Sequence, residues 1–183
     1  TKAMDGLDGL VTGQAVIGAM LIVALALTQR YYQPSMAILA VVVAGAFVGF
    51  LPHNMNPAKQ FLGEAGSTLA GFLLGALAIL SGAKLATALM VLGLPIADLA
   101  FVLAGRIRRG VSPFKGDDTH LHHKLLKAGL DKRHIVYLLW SLTALAGAAG
   151  LFVQTGGKVL LFILLCSVTA GLGAWADAKH RQT

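Results

Sequence analysis

The stretch GLVTGQAVIGAMLIVALALTQ, residues 9–29, carries no charged side chain. At roughly 20 residues a helix of this kind crosses the hydrocarbon core of a bilayer. Four more charge-free stretches run from Tyr31 to Ala58, Ala65 to Ala83, Ile135 to Gly157 and Val159 to Ala176. A sixth, Leu85 to Gly105, is interrupted only by Asp98. Backbone polar groups cannot stay unpaired in lipid, so these stretches are expected to span as helices. The composition agrees: 56% of the 183 residues are hydrophobic and only 13% are charged, against about 25% charged in a soluble domain. Mean hydropathy is +0.74. The 22 glycines suit close packing of membrane helices. The expected fold is an all-α, polytopic integral membrane protein with about six transmembrane helices, near 10–29, 35–51, 66–80, 85–105, 134–153 and 158–176. These form one membrane domain over residues 1–183, with long loops at 52–65 and 106–133.

The net charge of +7 is distributed as in a membrane protein, and nucleic acid is the weaker reading of it. With the N-terminus inside and six alternating helices, Lys2, Lys59, Arg106, Arg108, Arg109, Lys115, Lys124, Lys127, Lys132, Arg133, Lys179 and Arg181 fall on the inner side. Only Arg30, Lys84 and Lys158 fall outside. Twelve against three is a strong positive-inside bias. Seven acids also fall inside and Asp98 lies in the inner half of its helix, so a charged site is expected to face the cytoplasm. Cys166 is alone, which excludes a disulfide framework and a cysteine-based metal centre. The first residue is Thr1, and the stretch before the first apolar run is acidic, unlike a cleavable signal peptide. The expectation is a chain that starts within a longer protein.

Three polar stretches interrupt the apolar pattern. Asp5 and Asp8, three residues apart at the start of the first helix, read as helix caps or as paired acids for a cation or a nucleotide. Asn54 to Ser67 contains Pro57 and places Glu64 between Gly63 and Gly66 at the start of the third helix. A helix start is an anion site, and Glu64 is either its cap or a hard ligand for Mg²⁺, with Mn²⁺ as a substitute. His120, Leu121, His122 and His123 follow Asp117 and Asp118 and precede Lys124. This stretch suits phosphate or sugar recognition by imidazole donors and an ammonium group. Zinc is the weaker reading, because adjacent His122 and His123 are expected to diverge. Asp98, buried in an apolar helix, needs a partner in the bundle interior.

These residues, in this order, resemble the polyprenyl-phosphate N-acetylhexosamine-1-phosphate transferases. The likeness rests on Met4-Asp-Gly-Leu-Asp-Gly-Leu10, the Asn54…Pro57-Ala58…Phe61-Leu62-Gly63-Glu64…Gly66-Ser67 loop, Pro95-Ile96…Asp98, and Ser112-Pro113-Phe114…Asp117…His120-Leu121-His122-His123. It covers essentially the whole chain. The form of the histidine stretch resembles the branch that handles N-acetylglucosamine 1-phosphate; the phospho-N-acetylmuramoyl-pentapeptide branch carries three consecutive histidines. The resemblance implies attack of a polyprenyl phosphate on the sugar-bearing phosphorus of a UDP-sugar, with release of UMP, at the inner face of the plasma membrane. It implies Asp5, Asp8 and Glu64 as catalytic, Glu64 as metal ligand, and Asn54, Asp117, His120, His122, His123 and Lys124 as substrate-binding. A homodimer is compatible with it.

Departures from the family pattern are Glu64 where Asp is usual, Lys2 where Asn is usual, and Asp118 where a basic residue is common. The family's earlier Asp-Asp pair has no counterpart before the first helix. The chain is therefore expected to be the C-terminal half of the enzyme and inactive in isolation. A transporter component and a non-catalytic membrane scaffold are the rival readings.

Overall fold

A computed structural model describes residues 6–29, 32–81, 92–110, 112 and 119–181. Among them the chain forms seven helices: α1 (Leu10–Ala26), α2 (Pro34–Asn54), α3 (Gly63–Leu80), α4 (Gly93–Arg108), α5 (Leu121–Lys127), α6 (Lys132–Phe152) and α7 (Thr155–His180). No strand occurs among the described residues. The protein is an all-α polytopic membrane protein.

Four helices, α2, α3, α6 and the greater part of α7, are long and apolar enough to cross a membrane unaided. Helix α1 has 17 residues, about 25 Å at 1.5 Å per residue, and it is apolar on every side. Helix α4 is more polar, with Asp98, Arg106 and Arg108, and the expected start of this span at residues 85–91 lies outside the described residues. Two boundaries differ from expectation. The loop expected at 106–133 contains the seven-residue α5, too short for periodicity to announce it. Helix α7 runs 26 residues, because its hydrophobic stretch continues into the polar turn Asp177–His180 without a breaker.

Several helix starts follow ordinary capping chemistry. Pro34 opens α2 at a position where its missing N–H costs nothing. Asp131 caps α6 by accepting a bond from the Arg133 N–H at 3.0 Å.

Helix α1 is central, packing on α2, α3 and α6, while α7 packs on α4, α5 and α6. Small residues permit the close crossings. A Cβ at Gly13 would overlap the Trp140 ring, and one at Gly147 would overlap Leu21, so α1 and α6 meet nearly backbone to side chain. Trp140 also donates its indole N–H to the Leu10 carbonyl at 3.2 Å. The interior is rich in alanine and leucine: Ala15, Ala19, Ala40 and Ala70 are buried beside Leu10, Leu74 and Leu139. Large apolar side chains face outward instead, including Val42, Phe72, Ile79, Leu145 and Leu160. That inversion is expected where the solvent is hydrocarbon.

Candidate active site

The polar stretches gather at one end of the bundle. The turn before α1 reaches its helix through Gly9, whose φ of 81° favours glycine. The Gly9 N–H donates to Asn54 Oδ1 at 3.1 Å, and the Thr12 hydroxyl donates to the same oxygen at 2.6 Å. Asn54 Nδ2 donates to the Gln60 carbonyl at 3.0 Å. Asn54 is buried, so these three bonds satisfy an amide that would otherwise be costly to remove from water. The last residue of α2 thereby ties the start of α1 to the loop leading to α3.

Asp8 repeats the device one residue before Gly9. Its Oδ2 accepts from Asn56 Nδ2 at 2.9 Å and from the Ala58 N–H at 3.2 Å. The Lys59 and Gln60 N–H groups both donate to the His53 carbonyl, at 2.8 and 2.9 Å. Loop 55–62 is thus folded back on the end of α2, and it delivers Glu64 to the first turn of α3. Glu64 is exposed, and Ser67 donates to its carbonyl at 3.1 Å.

The histidine half is organised by Asp98. Its Oδ2 lies 2.8 Å from His120 Nδ1, and its Oδ1 accepts from the Leu121 N–H at 2.8 Å. Leu121 is the first residue of α5, so Asp98 supplies from another helix the acceptor that an N-cap side chain would provide. This bond between His120 Nδ1 and Asp98 Oδ2 sets the orientation of the His120 ring. The partner that a buried membrane acid requires is therefore His120. Asp98 is 3% exposed.

The expectation that His122 and His123 diverge is corrected. Their ring centroids are 4.1 Å apart, and His122 stacks on His120 at 5.9 Å. Adjacent Cβ directions on a helix do diverge, but side-chain torsions bring these rings together. His122 is buried, and it meets the other half of the cluster: a Cβ on Gly6 would overlap its imidazole. The turn that carries Asp8 and the helix that carries His122 are therefore in contact. Lys124 turns the other way, donating to Asp177 Oδ2 of α7 at 2.6 Å.

Of the residues singled out from the sequence, the structure joins Asp8, Asn54, His120, His122 and His123 in one contiguous network and puts Glu64 on the adjoining helix start. Asp5 and Asp117 lie outside the described residues. The sequence reading did not single out Thr12 or Asn56, and it left the partner of Asp98 unnamed. Only the need of a buried acid for a partner pointed towards His120.

No group of three His, Cys, Asp or Glu donors among the described residues makes a metal cage. Mg²⁺ does not require one, since it commonly takes one or two carboxylates and completes its shell with water and substrate phosphates. The exposed Glu64 carboxylate fits that role. The gathered imidazoles make no three-donor zinc site among the described residues.

Residues 2–82 match the family described as Glycosyl transferase family 4. The chain is 36% identical to a decaprenyl-phosphate N-acetylglucosaminephosphotransferase of Mycobacterium leprae, over 86% of this chain and 47% of that protein. It is 30% identical to a probable undecaprenyl-phosphate N-acetylglucosaminyl 1-phosphate transferase of Bacillus subtilis, over 88% of this chain and 48% of that protein. A phospho-N-acetylmuramoyl-pentapeptide-transferase of Staphylococcus saprophyticus is 30% identical, over 81% of this chain and 46% of its own length. The chain spans about half the length of the curated relatives it matches. Apolar spanning helices, a tied cluster at one end of the bundle and these matches point the same way: residues 2–82 match glycosyl transferase family 4, and most of the chain is similar to its polyprenyl-phosphate phosphotransferases.

Proposed function

We propose that the protein carrying this chain transfers N-acetylglucosamine 1-phosphate from a UDP-sugar to a polyprenyl phosphate, releasing UMP, on the cytoplasmic face of the plasma membrane. An oxygen of the lipid phosphate forms a new bond to the sugar-bearing phosphorus. The bond from that phosphorus to the bridging oxygen breaks, and the electron pair leaves with UMP. The product is a polyprenyl-diphospho-sugar, the first intermediate of an envelope glycan.

The observation that carries this reading is the contact of Gly6 with His122. It joins the acidic turn, the Asn54-tied loop and the histidine helix at one membrane end, which is the arrangement a diphosphate substrate needs. His122 and His123 are assigned to the diphosphate and sugar as hydrogen-bond partners. Glu64 is assigned to Mg²⁺, which when bound offsets the negative charge of the diphosphate. Asp8 and Asn54 hold the loop, and Asp98 holds the histidine helix in register. Such positioning and charge stabilisation account for most of the catalysis in phosphoryl transfer. Asp5 and Asp117 remain assigned to the nucleotide side by the resemblance. Lys124, paired with Asp177, is assigned to the packing of α5 on α7.

The higher identity to N-acetylglucosaminephosphotransferases favours that sugar over the pentapeptide-bearing one. The test is UMP release by the full-length protein reconstituted with polyprenyl phosphate and UDP-N-acetylglucosamine. Glu64→Gln and His122→Ala are each expected to lower turnover by roughly 10²–10³-fold, the size of loss seen when a transition-state-stabilising group is removed, with unchanged expression. Wild-type turnover in both variants removes the assignment. Turnover only with the UDP-N-acetylmuramoyl-pentapeptide donor transfers it to the other branch. The 183-residue chain alone is expected to release no UMP.

A further inference from the structure

A cleft of about 690 Å³ lies between α4, α5 and α7; Asp98 and Leu121 line it, and His122 does not. Its volume is that of a ligand-sized pocket. Phe101, Val102, Ala170 and Gly173 give it apolar walls, and Arg108, Arg109, Lys124, His180 and Arg181 line its polar end. Among the described residues two acids also line it: Asp98 holds His120 and the Leu121 N–H, and Asp177 is paired with Lys124 inside the cleft. Arg108, Arg109, Lys124 and Arg181 against Asp98 and Asp177 give the described lining a net positive charge, at the last turns of α4 and α7. Apolar walls leading to a cationic rim match an acyl chain leading to a phosphate.

We propose that this cleft binds an anionic glycerophospholipid of the surrounding leaflet, with its phosphodiester among Arg108, Arg109 and Arg181 and an acyl chain against Phe101 and Gly173. The acceptor polyprenyl phosphate is a poorer fit to the position. Among the described residues, none from α1, α2, α3 or the 54–64 loop lines the cleft, and neither does His122. The bound lipid would fill the groove between α4 and α7 and steady α5, whose residues Leu121 and Lys124 form part of the wall. It would thus support the histidine helix from behind.

The test is native mass spectrometry of the full-length protein, delipidated in neutral detergent and titrated with phosphatidylglycerol or phosphatidylcholine. This readout does not depend on transferase activity, so it stands apart from the proposed reaction. Phosphatidylglycerol is expected to bind at least tenfold more tightly than phosphatidylcholine. Each removed cation is expected to weaken it roughly fivefold, so Arg108→Gln with Arg181→Gln loses about 25-fold. Gly173→Phe keeps every charge but fills the cleft, since a Cβ there has only ordinary contacts at 3.9–4.0 Å and leaves room for a ring. It is expected to abolish tight binding, which a diffuse surface attraction would survive. Equal binding of the two lipids, or retention of phosphatidylglycerol by either variant, overturns the proposal. So does a rise in KM for polyprenyl phosphate in the Arg108→Gln, Arg181→Gln protein with phosphatidylglycerol binding unchanged.

Discussion

The two halves of the polar cluster use the same device and differ in what it leaves exposed. In the loop half, Asn54 and Asp8 reach across more than 40 residues of sequence to hold backbone and side-chain donors, and the carboxylate left outward is Glu64. In the histidine half, Asp98 reaches 23 residues to the Leu121 N–H, and what is left to meet the other half is the His122 ring. Acidic residues that look alike in sequence therefore differ in where the fold puts them. The difference is burial: Asp98 is buried, while Glu64 is exposed.

This contrast can be broken most directly at Asp98. Asp98→Ala leaves the buried Leu121 N–H and His120 without their acceptor. Hydrogen bonds to a charged group contribute about 1.5–3 kcal/mol each, so turnover is expected to fall about 100-fold while the protein also melts earlier. Asp98→Asn should recover part of the loss in both measurements, because its amide oxygen still accepts. Unchanged kinetics in Asp98→Ala would falsify the positioning role.

The loop half should respond differently. Asn54→Ala removes three bonds from a buried site, and a loss of about 2–4 kcal/mol is expected from the unsatisfied groups left behind. Thermal melting in detergent should register it before kinetics do, whereas Glu64→Gln should leave melting unchanged. If Asn54→Ala melts like the wild type, the clamp is not what folds the loop.

A smaller effect is expected at the seam between the halves. Gly6→Ala places a methyl group against the His122 ring, so the donor's KM should rise by roughly tenfold, the consequence of displacing a positioned group by a fraction of an ångström. Gly6 itself is exposed, and melting should change little. The smallest effect lies outside the cluster. The buried amide of Gln14 in α1 has no hydrogen-bond partner among the described residues, in contrast to Asn54. Gln14→Leu should therefore leave turnover intact and raise stability by about 1–3 kcal/mol, the cost of an unpaired buried polar group. A destabilised Gln14→Leu protein would mean that this amide has a partner elsewhere in the full-length protein.

Much of this was legible before any coordinates. Charge-free stretches of about 20 residues announce spanning helices, because hydropathy is a local property and lipid leaves the backbone few alternatives. The motif order announced the family, and the cost of a lone acid in a membrane helix announced that Asp98 has a partner. Helix α5 was not legible, since seven residues are too few for a periodic signal. The clustering of the His122 and His123 rings was not legible either, because backbone geometry alone argues for divergence.

What the sequence by itself determined is the class of the molecule: an apolar helical bundle with its acids, histidines and most of its cations collected at helix ends. Tertiary structure decided which of those groups hold and which are held out. Asn54 finds Gly9, Asp8 finds Ala58, Asp98 finds His120, and Lys124 finds Asp177 rather than the cluster. Each pairing joins residues far apart in the chain, and a hydrogen bond exists only within about 3 Å and near-linear geometry. No local pattern encodes that proximity; the packing of α1 on α2 and of α4 and α5 on α7 creates it.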